Sequence, residues 1–425
     1  MRANLVSPGA NRRAAAITTV ALLVVCQSFQ GLVVGGVALF LPKIRDDLHL
    51  TFTQGGTLSA ASTLVYAFMQ IPAGYLADRF GPRRLFFIGA LGTNFFGLTF
   101  GLLSSFPLAV ANQACQGFFR SLLFAPGLVL ISTWFPPNRR ATAMGLYVAG
   151  GFSSNIVLNL VGPTLANHFG WRMPFLTFSL FGLAAAVAYI RFAKDAVAPS
   201  PARAGVREAL SLFRYPVMWI LGGIQYVRLA VVLGTAFWLP SLFVDEKGFS
   251  LTTSGLLIAL GAIVTAPSNF LGGYVSDRLR NPYIVIGVSL GVLSVTTSLF
   301  VLTDSLVALA GTMCLNAIFL QLYFGPLFAV PVEFLGAERA GISSGFSNMF
   351  ANLGGFTFAY TIGALKDATG SFEVGFFALS TACVVALVLT LVLALRREHW
   401  ANSLKRATSP PRLGTEHAAL ETGDV

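Results

Sequence analysis

The segment that decides the fold is Gly74-Tyr-Leu-Ala-Asp78-Arg79-Phe-Gly81-Pro-Arg83-Arg84, a short polar stretch between two long apolar blocks. Its glycines permit a tight turn, because a residue without a Cβ atom reaches backbone angles that are closed to others. Its three arginines and one aspartate are costly to bury in an apolar interior. The segment therefore predicts a surface turn in an otherwise apolar protein.

A degenerate copy of this segment begins at Gly273 and includes Asp277 and Arg278. The same shift of about 200 positions aligns further residues, a pattern typical of repeats. The aligned pairs are Cys115 with Cys314, Phe124 with Phe324, Pro126 with Pro326, Arg139 with Arg339, and Gly145 with Gly345. A nearly constant shift over about 70 residues indicates an internal duplication.

The composition is that of a membrane protein. Of the 425 residues, 55% are hydrophobic and 11% are charged, whereas about a quarter of a soluble protein is charged. The hydrophobic residues recur in blocks of about 20, the length at which a helix crosses a bilayer. The net charge of +11 does not indicate nucleic-acid binding, because the basic residues lie between these blocks and not on one continuous surface.

The apolar blocks predict twelve membrane-spanning helices. They lie near residues 15–41, 53–76, 83–104, 107–134, 140–167, 172–193, 215–244, 252–275, 282–303, 306–334, 340–365 and 372–396. An even number of spans places both termini on the same side of the membrane. We therefore expect a multi-pass protein of the inner, or plasma, membrane.

The basic residues predict the orientation of these spans. Of the 28 lysines and arginines, 21 lie on the side of the termini and two lie inside spans. The other side carries five: Lys43, Arg45, Arg172, Lys247 and Lys366. Because lysine and arginine accumulate in cytoplasmic loops, both termini are predicted to be cytoplasmic.

The longest interior polar stretch divides the spans into two sets of six. The predicted organisation is a cytoplasmic N-terminal tail at 1–14, a six-helix bundle at 15–193, a cytoplasmic linker at 194–214, a second bundle at 215–396 and a disordered cytoplasmic tail at 397–425. When two parallel halves are related by an axis along the membrane normal, the binding site lies at their interface near the midplane.

The first turn resembles the G-x-L-x-D-R-x-G-x-R-R segment of the major facilitator superfamily, and the span count, linker and repeat extend this resemblance over essentially the whole chain. The resemblance implies two pseudo-symmetric six-helix bundles that move a solute by alternating access. It also implies a conformational latch formed by Gly74, Asp78, Arg79, Gly81, Arg83, Asp277 and Arg278. In this latch Asp78 faces the positive N-terminal end of the eleventh span. The alternative is a basic loop that sets topology and does not switch.

Two arginines are predicted inside the membrane: Arg120 in the fourth span and Arg228 in the seventh. Since an arginine at mid-bilayer costs about 3 kcal/mol, we expect both to face a water-filled cavity and not lipid. Their planar guanidinium groups suit bidentate binding of a carboxylate, so the sequence predicts an anion held between them. The alternative for each is a structural pairing with helix carbonyls or a polar neighbour.

The residues around Arg228 resemble one branch of the superfamily, the organic anion:cation symporters, which include vesicular glutamate and sialic acid carriers. The similarity rests on Pro240, Phe243 and the pair Gly248-Phe249, and it implies that Arg228 binds a substrate carboxylate. The fourth span departs from that branch. The arginine that the branch carries in this span would fall at Gln113 of this sequence. Arg120 lies two helical turns further along the same face, so the depth of the site and the substrate cannot be carried over.

Further polar residues are predicted to complete the cavity: Gln30, Tyr226, Gln27, Gln113, Tyr66, Asn155, Tyr323 and Asn352. Such side chains also form hydrogen bonds between membrane helices, which is the alternative for each of them. No acidic residue lies in the core of the first, fourth, fifth, seventh, eighth or eleventh span. The sequence therefore leaves open whether transport is uncoupled, an exchange, or coupled to a proton or sodium ion.

The predicted partner is a small anionic molecule, with no nucleic acid, metal or cofactor, and we expect a monomer. An enzyme is excluded because the chain has no phosphate-binding loop in a strand-to-helix setting, no H-E-x-x-H and no convergent Ser/His/Asp set. The alternative function is efflux of amphipathic, drug-like compounds, which the 38 phenylalanines favour. That alternative does not account for two arginines in the membrane.

Overall fold

The computed structural model describes residues 10–134, 140–194, 214–335 and 340–397, although some side chains within these ranges are not described. The described part is almost entirely helical and contains no strand. The helices correspond to the twelve predicted spans, and their bounds lie within a few residues of the predicted ones. Residues 1–9, 195–213 and 398–425 of the predicted tails and linker lie outside the described residues, whereas residues 10–14 of the predicted N-terminal tail belong to the first helix.

The described part of the first half contains six long helices and one short helix. They are α1 (Ala10–Leu39), α2 (Leu41–Leu48), α3 (Phe52–Phe80), α4 (Pro82–Phe100), α5 (Phe106–Trp134), α6 (Arg140–Phe169) and α7 (Arg172–Phe192). Thr51 begins α3 with a reciprocal capping box to Gln54, which satisfies free amides at the helix start. Gly81 turns the chain between α3 and α4 with φ of 86°, as the first sequence motif requires.

The helices of the second half repeat this order. They are α8 (Pro216–Ser241), α9 (Leu251–Leu279), α10 (Pro282–Leu302), α11 (Leu306–Leu322), α12 (Phe324–Leu335), α13 (Ala340–Thr369) and α14 (Glu373–Leu395). A π-helical turn, Leu242–Glu246, continues α8. The short helix α2 and this turn were not predicted from the sequence.

The predicted tenth span, 306–334, is helical over this range, but the helix is interrupted at Tyr323 between α11 and α12, which the sequence did not predict. Pro326 has no amide hydrogen to donate to the carbonyl of Leu322, which favours a break at this point. Gly272 of α9 packs against the same carbonyl, since a Cβ atom there would lie 1.8 Å from the Leu322 oxygen. The tenth span is therefore two helices with a bend between them.

The surface of the helix bundle suits lipid. Eight helices in the described part are long and apolar enough to cross a membrane by length and composition alone. Large apolar side chains on the outer faces stay exposed, among them Phe68, Phe270 and Val307. In water such a belt would favour aggregation, but in a bilayer it contacts acyl chains.

The two halves use equivalent helix pairings. Helix α1 packs on α6 and α3 on α5 in the first half, and α8 packs on α13 and α9 on α11 in the second. The halves meet mainly where α3 contacts α13 and where α6 contacts α9. The interface between the halves is therefore lined by helices related by the internal repeat.

Candidate functional site

Arg120 lies in α5, and its guanidinium carbon is 4.5 Å from the ring centroid of Tyr66 in α3. Helices α3 and α5 approach closely one turn away, because Gly117 has no side chain. A Cβ atom at Gly117 would lie 2.2 Å from the carbonyl oxygen of Ser62. No carboxylate of a described residue forms an ion pair with Arg120. Its charge is therefore held next to an aromatic face of its own half.

Arg228 lies in α8 and is only 7% exposed. Its Nε–H donates to the Oε1 atom of Gln225 at 2.7 Å, and its guanidinium carbon is 4.9 Å from the ring centroid of Phe324. Phe324 is the first residue of α12, so the break in the tenth span places its ring beside Arg228. The hydrogen bond to Gln225 and the ring of Phe324 thus both restrain the guanidinium.

The two arginines share a chemical arrangement. Each lies over an aromatic ring contributed by a different helix of the same half. Because the guanidinium is planar, a ring against its face leaves the N–H groups along its edge as the hydrogen-bonding surface. The sequence predicted Arg120, Arg228 and Tyr66. It did not predict Phe324, because a proline such as Pro326 does not by itself show that a membrane helix breaks. The three-residue spacing of Gln225 and Arg228 was a usable signal.

Some of the other predicted cavity residues bond within the protein. Gln27 accepts a hydrogen bond from the Tyr147 hydroxyl at 2.9 Å. Asn352 donates to the Asn348 carbonyl of its own helix at 2.8 Å. The carbonyl of Asn155 accepts from a side chain one turn later, at 2.7 Å. Only the Gln27 contact joins two helices, as the structural alternative requires, and none of the three contacts excludes a second contact to a ligand.

Other predicted residues are buried without such contacts. Gln113 is 2% exposed and Tyr323 is fully buried, and among the described residues neither the Gln113 Nε2 nor the Tyr323 hydroxyl has a hydrogen-bond partner. Gln30 is also buried, whereas Tyr226 is half-buried with its ring 6.5 Å from that of Phe358. A buried unsatisfied donor costs about 1–3 kcal/mol, so a polar ligand or water at Gln113 and Tyr323 would be stabilising.

One end of the bundle, which carries α2 and is here named the α2 end, holds a set of ion pairs. Arg45 of α2 pairs with Asp245 of the second half at 3.0 Å. The other three pairs lie within one half: Arg172 with Asp47, Lys247 with Asp304, and Lys366 with Glu246. All five basic residues predicted on the external side thus lie at the α2 end, since Lys43 belongs to α2 itself. The other four each pair with a carboxylate.

Apolar contacts also join the halves at the α2 end. Phe52, the first residue of α3, contacts the ring of Phe372 at 5.3 Å and that of Trp238 at 6.2 Å, both in the second half. The guanidinium carbon of Arg45 lies 3.3 Å from the centroid of the Phe52 ring. The first residue of α3 is therefore enclosed by groups from both halves.

The opposite end carries the predicted latch. Arg79 and Asp277 are exposed, and Arg278 donates to the Tyr274 hydroxyl at 3.2 Å. Arg83 donates to the Ile190 carbonyl at 2.9 Å, a contact within the first half. The surroundings of Gly74 and the side chain of Asp78 lie outside what the structure describes. The latch stays a prediction.

These helices and their pairings define a polytopic membrane protein with two related helical bundles. The Major Facilitator Superfamily matches residues 23–359, which is more than half of the chain. The chain belongs to this family, and it is therefore a transporter and not an enzyme. The specific branch suggested by the residues around Arg228 stays a prediction.

Known proteins support this assignment. The chain is 24% identical over 381 residues to a hexuronate transporter of Bacillus subtilis (strain 168), covering 84% of this chain and 89% of that one. It is 23% identical over 388 residues to a nitrite extrusion protein of the same organism, covering 88% and 92%. Its fold is similar to that of a bacterial homologue of the human lysosomal transporter Spinster, with a TM-score of 0.72, 18% identity, and coverage of 95% and 100%.

Proposed function

We propose that this protein is a secondary transporter that moves a small organic anion, with a carboxylate held between Arg120 and Arg228. The observation that carries the proposal is one intramembrane guanidinium in each half, each placed against an aromatic ring. A permanent positive charge in this environment is unfavourable unless an anion or water accompanies it. A transported anion meets that requirement.

The helices around the arginines support an anion and not a cation as cargo. Neither α5 nor α8 contains an acidic residue, and an organic cation would be repelled by both guanidinium groups. Buried amides such as Gln113 and Gln225 lie on the same helices as the arginines. Such groups suit a substrate that carries hydroxyl or carbonyl oxygens besides its charge.

The relatives point in the same direction. The names of the two bacterial relatives specify a hexuronate and nitrite, both of which are anions. Both anions also present two oxygens in one plane, which a guanidinium binds through parallel N–H groups. We favour an organic acid because the amides of Gln113 and Gln225 extend the polar surface beyond the two guanidinium groups. The uptake experiment includes nitrite as a competitor to test the other anion.

Transport proceeds by rocking of the two halves around this site. The contacts of Arg45 with Asp245 and of Phe52 with Trp238 join the halves at the α2 end in this structure, and in the proposed cycle the site then opens toward the opposite end. The proposed membrane is the inner, or plasma, membrane with cytoplasmic termini, and the α2 end is external. Coupling to a proton or sodium ion stays open.

Uptake into proteoliposomes tests this function. Hexuronate uptake by the native protein is compared with that of Arg120→Ala and Arg228→Ala, with nitrite and a drug-like cation as competitors. The exposed Arg191→Ala, which leaves both intramembrane charges in place, is the matched control. We expect each interior variant to lose at least about tenfold of the uptake rate, since a charged hydrogen bond contributes 1.5–3 kcal/mol. Unchanged uptake in both variants would refute the anion site, and competition by the cation alone would favour the efflux alternative.

A further inference from the structure

Helices α3 and α13 cross the interface side by side in opposite directions. A Cβ atom at Gly56 of α3 would lie 2.5 Å from the Ala359 carbonyl, and one at Gly363 of α13 would lie 2.5 Å from the Phe52 carbonyl. Gly56 lies beside Ala359, and Phe52 lies beside Gly363. The two helices are therefore antiparallel, and the start of α3 lies beside the end of α13. The two glycines allow the backbones to touch at the α2 end.

At this point Asp367 of α13 reaches across to the other half. Its carboxylate accepts hydrogen bonds from the backbone N–H of Phe52 at 2.9 Å and that of Thr53 at 2.6 Å. The Thr53 hydroxyl also donates to it, at 2.5 Å. The first amides of a helix have no partner within the helix, and a negative charge there is stabilised by the helix dipole. Asp367 therefore caps a helix of the opposite half.

We propose that Asp367 is a latch that holds the α2 end closed, as the counterpart of the latch that the family resemblance implies for Asp78 on α13 at the opposite end. This inference rests on the alternating-access part of the proposed function and is independent of which anion is carried. Asp78 lies two residues before the last residue of α3, and Asp367 lies two residues before the last residue of α13. Asp78 and Asp367 thus occupy equivalent positions near the ends of their helices.

The geometry makes the two caps alternate. The hydrogen bonds of Asp367 require that the start of α3 stay in contact with the end of α13, which is also the position of Gly56 and Gly363. Rocking of the halves that opens the α2 end separates these atoms and breaks all three bonds. The same motion brings the end of α3 toward the start of α13. The cap of Asp367 is lost as the cap of Asp78 forms. The free energies of the states with the α2 end closed and open therefore stay similar.

Distances between spin labels test the latch without any transport assay. One label pair reports the α2 end, at His168 and Ser305, and a second pair reports the opposite end, at Arg191 and Arg396. All four positions are exposed, and each pair has one member in each half. The labels are introduced in full-length protein whose four cysteines are replaced by alanine, in lipid nanodiscs without substrate.

The variant Asp367→Asn removes the charge and one acceptor oxygen. We expect the ratio of open to closed α2 ends to rise about tenfold, the effect of losing one charge-assisted hydrogen bond, with the opposite-end pair moving closer. Asp78→Asn shifts both distances the other way. The control is Asp47→Asn, which removes an equivalent charge whose partner Arg172 lies in the same half, and it leaves both distributions unchanged.

If Asp367→Asn does not fold, Thr53→Ala removes one of the three bonds and gives a smaller shift in the same direction. Asp367→Asn distributions equal to those of native protein and Asp47→Asn would overturn the latch while leaving the anion site untouched. If Asp367→Asn opens the α2 end but Asp78→Asn changes neither spin-label distance, the reciprocal role of Asp78 is overturned.

Discussion

Replacing Phe324 with leucine tests whether the aromatic rings position the arginines. The ring centroid lies 4.9 Å from the Arg228 guanidinium carbon, and a contact of this kind contributes about 1–2 kcal/mol in a desolvated setting. An arginine side chain has about 2 kcal/mol of rotamer entropy to lose. The Phe324 ring and the hydrogen bond to Gln225 both restrict the rotamers of Arg228. Without the ring, the unbound side chain regains about 1 kcal/mol of conformational entropy, which is lost again when the anion binds.

The expected result is a KM for hexuronate about fivefold higher, with little change in the maximal rate, because 1.4 kcal/mol corresponds to a factor of ten. The assay is initial-rate uptake into proteoliposomes over a range of concentrations. Phe324→Tyr keeps the ring and is the matched control, so its KM stays near the native value. Equal KM values for the leucine variant, the tyrosine variant and the native protein would refute the positioning role. A lower maximal rate at constant KM would also contradict it, because that result indicates a structural defect.

Three further predictions follow from contacts in the interior. Gln225→Glu places a carboxylate where the amide oxygen accepts from Arg228; it should therefore lower anion binding more than Gln225→Met does, and binding that is weakened equally by both variants would contradict this. Gly363→Leu cannot fit against the Phe52 carbonyl, so the spin-label distance at the α2 end should lengthen, and an unchanged distance would count against tight packing there. Gly117→Val introduces atoms against the α3 backbone; overpacking costs about 1–3 kcal/mol, so the thermal unfolding temperature in detergent should fall by several degrees, whereas a native value would show that α3 and α5 separate easily.

The sequence predicted the helices well because membrane insertion depends on local properties. A helix in lipid must satisfy its own backbone and present about 20 apolar residues, so span positions can be identified from composition alone. The turn at Gly81 was also predictable from the local sequence, because a backbone φ of 86° favours glycine. The interruption at Tyr323 was missed, because proline within a membrane helix is often tolerated and its effect depends on neighbours such as Gly272.

The site was predictable in part. An arginine inside an apolar span is conspicuous in sequence, and both Arg120 and Arg228 lie among aromatic and polar groups in the structure. Phe324 was not predictable, because phenylalanine is abundant in this chain and only the tertiary fold selects one ring. Asp367 was missed for a related reason. It lies 314 residues from Thr53 in the chain, and no local pattern connects them.

The claim that one anion bridges the two halves is tested most directly by a double-mutant cycle of substrate affinity. Hexuronate binding is measured for native protein, Arg120→Gln, Arg228→Gln and the double variant. We predict that each single variant loses about 100-fold in affinity and that the double variant loses little more, because contacts to one bound ion are coupled. Losses that multiply in the double variant would mean that the arginines act independently, and affinities unchanged by either substitution would contradict the account.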